Sequence, residues 1–183
     1  MHFDYSGKFR ELFKFYIGFT GKKGRMKKQD LKFMRLAITK ALEGVRKGQT
    51  PFGACIVKNN KVIACSHNLV WKSNNITAHA EMVAIGFACK TLKVIDLSGC
   101  TIYSTCEPCP MCFSACHWAR ISRIVFGCAI KDAKNFGFNE MAVSNLKLKK
   151  IVKSKIKITS KIAVKENLAL FKFWQEQAKA RAY

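Results

Sequence analysis

A strand, helix and strand in the middle of the chain place the tightest limit on its fold. The runs "GCTIYST" (99–105) and "ISRIVFGCAI" (121–130) are short and apolar, and both predict buried strands. Between them, "PMCFSACHWAR" (110–120) predicts a helix, with Pro110 in its first turn. Strands that alternate with helices in this way indicate an α/β protein with helices on both faces of one sheet.

A hairpin and a helix are predicted upstream of this segment. The stretch "PFGACIVKNNKVIACSHN" (51–68) consists of two β-prone runs joined by Asn59 and Asn60, which tolerate the positive φ of a tight turn. Before it, apolar residues recur at helical spacing between Asp30 and Gly48. We predict that Asp30 is the N-cap of this helix and that Gly48 closes it.

Two more helices complete the pattern within one domain. Apolar residues at helical spacing predict a second helix over Thr77 to Leu92, and residues 163–182 predict a terminal amphipathic helix. A chain of 183 residues with 49% hydrophobic content can bury one substantial core, so we expect one domain with extensions. No apolar run approaches the roughly 18 to 20 residues that span a bilayer, so we expect no membrane segment.

The cysteines and the N-terminal residues bear on the compartment. The chain has nine cysteines, an odd number, and Cys55, Cys65, Cys89 and Cys128 stand inside apolar runs, where thiols pack as small hydrophobes. This usage predicts a reducing, cytoplasmic setting. Residues 1–25 are interrupted by charges and lack the apolar centre of a secretory signal.

The net charge is +22, and a field of this size attracts nucleic acid or an anionic membrane surface. However, 26 of the 33 basic residues are Lys, a bias that AT-rich codon usage also produces. Residues 147–165 contain eight lysines and no acid, so they could follow an RNA backbone or form a solvated strand and loop. The charge alone therefore does not identify a partner.

The segment "STCEPCPMC" contains Cys106, Cys109 and Cys112 at a spacing of three, so two C-x-x-C pairs overlap. Upstream lies His79-Ala-Glu81, near the start of the second predicted helix. The pattern H-x-E followed by P-C-x-x-C is the signature of zinc-dependent base deaminases. It selects His79, Cys109 and Cys112 as ligands of Zn²⁺ and Glu81 as the general acid and base.

The spacing of this motif has a physical basis. Cys109 would be the N-cap of the helix that Pro110 opens, and Cys112 would follow in its first turn, where the helix dipole favours thiolates. Three protein ligands leave the fourth tetrahedral position open, as in catalytic zinc sites. Cys106 is the rival ligand. As a fourth ligand it would close the site, but at the end of a strand its side chain should lie on the far side of the turn.

The sequence resembles the cytidine deaminase superfamily, and within it the bacterial guanine deaminases. The resemblance runs from about Asp30 to the last residue, through "PFGA", "TAHAE", "YSTCEPCPMC" and "WAR". It implies a three-layer α/β/α sandwich around a five-stranded mixed sheet, one Zn²⁺ per subunit, and a homodimer that exchanges the helix at about 163–182. Residues 1–25 have no counterpart in it, so we expect an extension that is disordered or a mispredicted start, and a deaminase domain over residues 26–183.

The resemblance also implies roles for residues outside the motif. Glu140, in "GFNE", stands where the guanine enzymes have an acid that helps to move protons, although there it is Asp. Tyr183 matches a C-terminal Tyr that completes the pocket of the partner subunit. The residues implied to bind the substrate are Phe52, Asn68, Ala80, Trp118 and Tyr183.

We therefore expect a zinc-dependent deaminase that acts on a small-molecule purine, most readily on guanine, which it converts to xanthine and ammonia, with guanosine as another candidate. A tRNA adenosine deaminase is the main alternative because it shares the motif and would explain the charge, and a cytosine deaminase is a further one. A structural zinc protein without catalysis is the third reading, but it would need no Glu81. Glu140 and the tail from Trp174 to Tyr183 favour the small purine.

Overall fold

The computed structural model describes residues 22–183, with side chains from residue 28 onward. Residues 1–21 of the predicted N-terminal extension therefore lie outside the described residues. In chain order the helices are α1 (Lys22–Arg46), α2 (Val70–Ser73), α3 (Ala80–Leu92), α4 (Pro110–Trp118), α5 (Ile130–Asn135), α6 (Asn145–Ile151) and α7 (Val164–Gln175). The strands are β1 (Gly53–Lys58), β2 (Lys61–His67), β3 (Thr101–Cys106), β4 (Arg123–Cys128) and β5 (Lys157–Thr159).

The five strands form one mixed sheet in the order β2-β1-β3-β4-β5. Strand β1 runs antiparallel to β2 and β3, whereas β3, β4 and β5 are parallel. The hairpin prediction is confirmed, since Asn59 and Asn60 have φ of 49° and 59° between β1 and β2. Both predicted strands around Pro110 are also present, joined by α4.

Helices cover both faces of this sheet, because successive residues of each strand point to opposite sides. Cys55 of β1 belongs to the core beneath α1 and α7, whereas Ala54 and Ile56 belong to the core beneath α3 and α4. The protein is thus the α/β/α sandwich that the resemblance implied. In the part of the chain that the structure describes, no helix is long and apolar enough to cross a membrane.

Three sequence predictions about these elements need correction. The second helix begins at Ala80 rather than Thr77, and the terminal helix α7 ends at Gln175 rather than 182. Cys55 and Cys65 form a cross-strand disulfide between β1 and β2 instead of packing as free thiols. Their pairing depends on the register of the hairpin, which places their Cα atoms 4.1 Å apart.

The prediction for Asp30 is also wrong, because α1 begins at Lys22 and Asp30 lies inside the helix. Its carboxylate is 4% exposed and faces the sheet. It accepts hydrogen bonds from the Tyr103 hydroxyl at 2.9 Å and from Arg123 Nη1 and Nη2 at 2.9 and 2.7 Å. Arg123 also donates to Thr159 Oγ1 at 2.9 Å, so this network ties α1 to β3, β4 and β5.

We predict that Asp30→Ala lowers the free energy of unfolding by about 3 kcal/mol, because it leaves the half-buried Arg123 guanidinium without its carboxylate. Urea denaturation measures this change. Glu43→Ala is the matched control, since it removes an exposed carboxylate of α1 that pairs with Lys40 at 2.8 Å, and it should cost less than about 0.5 kcal/mol. Equal losses in both variants would show that the Asp30 network does not hold the layers together.

Candidate metal centre and active site

Two helix N-termini converge at the site. His79 is the N-cap of α3 and Cys109 the N-cap of α4, each with an extended backbone (φ −62° in both, ψ 155° and 167°). Neither side chain caps its own helix, so both are available to a ligand. Pro110 occupies the first turn of α4, where its missing N–H costs no hydrogen bond.

The donor atoms of His79, Cys109 and Cys112 all lie within 4.8 Å of one another. His79 Nδ1 is 3.7 Å from Cys109 Sγ and 3.6 Å from Cys112 Sγ. In a tetrahedral zinc site, with bonds of about 2.3 Å to sulfur and 2.0 Å to nitrogen, ligand atoms are separated by about 3.5 Å. One imidazole and two thiols at this spacing fit a zinc ion and leave a fourth coordination position for water.

The electrostatics of the cluster favour a thiolate at Cys109. A hydrogen bond from the Cys112 thiol, together with one from His79, lowers the pKa of Cys109 to about 4, although burial acts in the opposite direction. The same hydrogen bond to Cys109 and burial raise the pKa of Cys112. Burial lowers the pKa of His79, but its hydrogen bond with Cys109 and the charge of Glu81 outweigh this and raise it.

Glu81 lies in the first turn of α3, is 6% exposed and points to the same cluster. Its Oε1 accepts a hydrogen bond from the Ser104 hydroxyl at 2.8 Å, and its Oε2 is 3.6 Å from Cys112 Sγ. Burial raises the pKa of its carboxyl. Sequence reasoning missed Ser104, although a hydroxyl in a buried strand, two residues after Ile102 of the core beneath α3 and α4, could have indicated it.

Cys106 lies apart from the cluster. Its buried thiol donates a hydrogen bond to the backbone oxygen of Ala129 at 3.5 Å, on the other side of the turn from Cys109. Burial raises the pKa of Cys106 well above its usual range, which disfavours a thiolate ligand. The structure thus gives the two C-x-x-C pairs different surroundings, as the sequence analysis expected.

The structure shows the contacts of four of the other predicted residues. Asn68 is buried, and its Oδ1 accepts from the Val70 N–H at 3.0 Å while its Nδ2 donates to the Tyr183 hydroxyl at 2.6 Å. The Tyr183 ring lies 5.6 Å from the His79 ring between centroids. Phe52 packs edge-on against Phe138 at 4.7 Å. Ala80, fully buried, begins α3 directly after His79.

Glu140 interacts electrostatically with Cys109, His79 and Glu81. Burial, followed by the Cys109 thiolate, raises the pKa of its carboxyl to about 7.

The prediction that Trp118 binds the substrate needs correction, because the structure does not bring this residue to the metal centre. It is the last residue of α4, at the opposite end from Cys109, and is 83% exposed. Nine residues of α-helix span about 13 Å, so the "WAR" segment that carried the resemblance is separated from the metal centre by the length of the helix.

Comparison with known proteins identifies the family to which the chain belongs. Residues 27–128 match the zinc-binding region of cytidine and deoxycytidylate deaminases, and the chain belongs to this family. The matched segment includes His79, Glu81, Cys109 and Cys112, whereas Glu140 and Tyr183 lie beyond it. The protein is a zinc-dependent deaminase.

Two relatives from Bacillus subtilis (strain 168) give a finer comparison. The chain is 38% identical over 152 residues to the guanine deaminase of this organism, and the alignment covers 82% of the chain and 97% of the relative. It is 44% identical over 99 residues to its tRNA-specific adenosine deaminase, which covers 54% of this chain and 62% of the relative.

Solved structures of both kinds are similar as well. The structure of the Bacillus subtilis guanine deaminase has a TM-score of 0.58 at 37% identity and covers 83% of this chain and 97% of its own. A structure from studies of A-to-I editing by tRNA:A34 deaminases has a TM-score of 0.67 at 32% identity and covers 76% and 98%. Both substrate classes therefore occur among proteins similar to this one.

We predict that Cys109→Ser abolishes stoichiometric zinc, because it removes the most acidic thiol of the ligand set. Cys106→Ser, the matched control at the other end of the same loop, should keep one zinc per chain. Metal analysis of the purified variants measures this directly. Loss of zinc in Cys106→Ser, with a native circular dichroism spectrum, would contradict the three-ligand assignment.

Proposed function

We propose that this protein deaminates a small aminopurine, guanine or guanosine, by hydrolysis, releasing ammonia and, from guanine, xanthine. The observation that carries the proposal is the position of the C-terminal tail, which places the Tyr183 ring over His79 and its hydroxyl on Asn68. A tail in this position would cover the metal centre and so favours a small substrate. The similarity to a guanine deaminase supports the same reading, since it spans nearly the whole of that relative.

His79, Cys109 and Cys112 would hold Zn²⁺, one ion per chain. When bound, zinc acts as a Lewis acid and lowers the pKa of water to near 7. The chain prepares this site by presenting both thiols at the N-terminus of α4, where unpaired N–H groups favour negative charge.

Glu81 is the base in this proposal. Ser104 fixes one carboxylate oxygen at 2.8 Å, which directs the other toward the metal centre. The free oxygen takes a proton from the attacking water, delivers it to N3 of the purine ring and then assists the departure of ammonia. A buried carboxyl with a raised pKa can hold this proton between the two steps.

Asn68 orients the substrate. Because its Oδ1 is occupied by the Val70 N–H, the direction of the amide is fixed and its NH₂ group faces the pocket. Tyr183 takes one of the two hydrogens of that group. The second hydrogen remains for an acceptor on the purine, with Phe52 and the backbone at Ala80 bordering the ring.

Glu140 and Tyr183 close the pocket on the other side. Glu140, with a pKa near neutrality, is suited to move a second proton to the leaving group. Tyr183 excludes water from the ring it covers, which strengthens the electrostatic interactions inside. The tail packs on its own chain in this structure, and exchange of the helix at about 163–182 within a homodimer would carry Tyr183 into the partner's pocket. That exchange remains a prediction.

Deamination of adenosine in tRNA is the second candidate. One observation favours it specifically: α6, which carries Lys147, Lys149 and Lys150, begins against the metal-binding loop. The Asn145 Nδ2 there donates to the backbone oxygen of Pro108 at 2.6 Å. A basic helix beside Cys109 could contact the backbone of an RNA whose base is flipped into the site. The closed tail argues against it, because a flipped base needs an open approach.

We predict that Glu81→Gln lowers kcat by at least about 10²-fold, because the amide cannot accept the proton of water. Ser104→Ala should lower kcat by about 10-fold, since Glu81 keeps its charge but loses the bond that orients it. Both variants should retain one zinc ion and the wild-type melting temperature. Steady-state ammonia release measures the rates, and wild-type kcat in Glu81→Gln would remove Glu81 from the mechanism.

The test of substrate is a panel of guanine, guanosine, cytosine, adenosine and a tRNA anticodon stem-loop, each incubated with the zinc-loaded protein. We expect ammonia from guanine or guanosine, with little from the other substrates. Release from the stem-loop but not from guanine would overturn the preferred function and select the second candidate. Glu81→Gln, run in parallel, controls for contaminating activity.

A further inference from the structure

Trp71 makes an unusual set of contacts with the C-terminal tail. It belongs to α2, a four-residue helix that begins two residues after Asn68. The guanidinium carbon of Arg181 lies 3.7 Å from the centroid of the Trp71 indole ring. The Trp71 Nε1 donates a hydrogen bond to the backbone oxygen of Arg181 at 3.2 Å, and the Trp71 ring meets the Tyr183 ring at 6.1 Å. The face, the N–H group and the edge of one side chain thus all contact the tail.

The tail needs such an anchor. Helix α7 ends at Gln175, and the N–H groups of Glu176, Gln177 and Ala180 still donate to backbone oxygens three or four residues earlier. Residues 181–183 then cross to the active site without such helical hydrogen bonds. Terminal residues of this kind fray unless side chains or backbone bonds hold them. At the tip, Tyr183 is held by Asn68 Nδ2 and by the Asn139 N–H, which donates to the Tyr183 backbone oxygen at 3.1 Å.

The same short helix also determines the position of Asn68. The first N–H of α2, from Val70, binds Asn68 Oδ1, and the next residue is Trp71. The Lys72 N–H donates to Gln49 Oε1 at 3.2 Å, which fixes α2 to the loop before β1. One element therefore carries both the amide that faces the pocket and the indole that contacts the tail.

We propose that Trp71 and Arg181 form a clamp that holds the tail closed, with Trp71 as a positioning residue that acts through Tyr183. The proposal rests on the proposed role of Tyr183 in the pocket. The stacked guanidinium and the indole N–H fix Arg181 two residues before the C-terminus. This limits the excursions of Tyr183 and keeps its ring over His79 while the purine reacts.

If the clamp holds the tail closed, variants of Trp71 and Arg181 should lower kcat/KM of the zinc-loaded enzyme to different extents. Trp71→Leu removes both the stacking and the N–H donor, so kcat/KM should fall about 10-fold. Trp71→Phe keeps a ring for the guanidinium but loses the donor, and Arg181→Ala loses only the stacking, so each should fall about 3-fold. The double variant Trp71→Leu/Arg181→Ala should be no worse than Trp71→Leu, because Trp71→Leu already removes both the stacking and the hydrogen bond.

A readout independent of substrate separates the clamp from the proposed function. A carboxypeptidase that prefers aromatic C-termini should release Tyr183 only when the tail opens, and intact mass follows the loss of one tyrosine. Release should be about 10-fold faster in Trp71→Leu than in wild type and about 3-fold faster in Trp71→Phe. If none of the panel substrates reacts, the proposed function fails, but this measurement still tests the clamp.

Two controls complete the test. Lys179→Ala removes a positive charge from the same tail without touching the stacked pair, and it should leave both kcat/KM and tyrosine release unchanged. In a chain that lacks Tyr183, Trp71→Leu should cause no further loss of activity, because the clamp acts through that residue. Wild-type tyrosine release in Trp71→Leu, or an undiminished effect of Trp71→Leu without Tyr183, would overturn the proposal.

Discussion

The convergence of two helix N-termini on one point is the constraint on which the rest of the site depends. His79 and Cys109 are the N-caps of α3 and α4, so the metal ligands stand where each helix leaves its backbone N–H groups unpaired. This geometry stabilises thiolates, and Glu81 in the first turn of α3 lies beside the same point. The parallel pair of β3 and β4 fixes the helix between them, and the sheet thereby sets the distance between the two N-termini.

Patterns of neighbouring residues predicted the features that depend on short-range interactions. The hairpin at Asn59 and Asn60, the strands around α4 and the N-cap position of Cys109 each follow from residues close together in the chain. The different surroundings of Cys106 and Cys109 could also be predicted, because a strand end and a helix start give adjacent residues opposite directions. The short range of these interactions explains why the predictions succeeded.

The features that the sequence did not indicate depend on contacts across the fold. Asp30 has the residue type of a helix cap, but its partners Tyr103 and Arg123 lie on two strands far along the chain, and tertiary pairing outweighed local preference. Ser104 becomes functional only because β3 passes beside Glu81. The prediction for Trp118 was wrong for a different reason. A motif match does not show which end of a helix a side chain occupies, and Trp118 lies at the end of α4 opposite to Cys109.

The charge of the chain and the proposed role of its tail favour different substrates. A net charge of +22 acts over the Debye length of about 10 Å and attracts any polyanion to the surface. It does not determine whether a base can reach His79. The Tyr183 ring lies beside the His79 ring, and its hydroxyl takes one of the two hydrogens of the Asn68 amide. Under the proposed function a free purine reacts beneath the closed tail, whereas a nucleotide within an RNA chain would require the tail to open. The clamp at Trp71 therefore bears on substrate class as well as on rate.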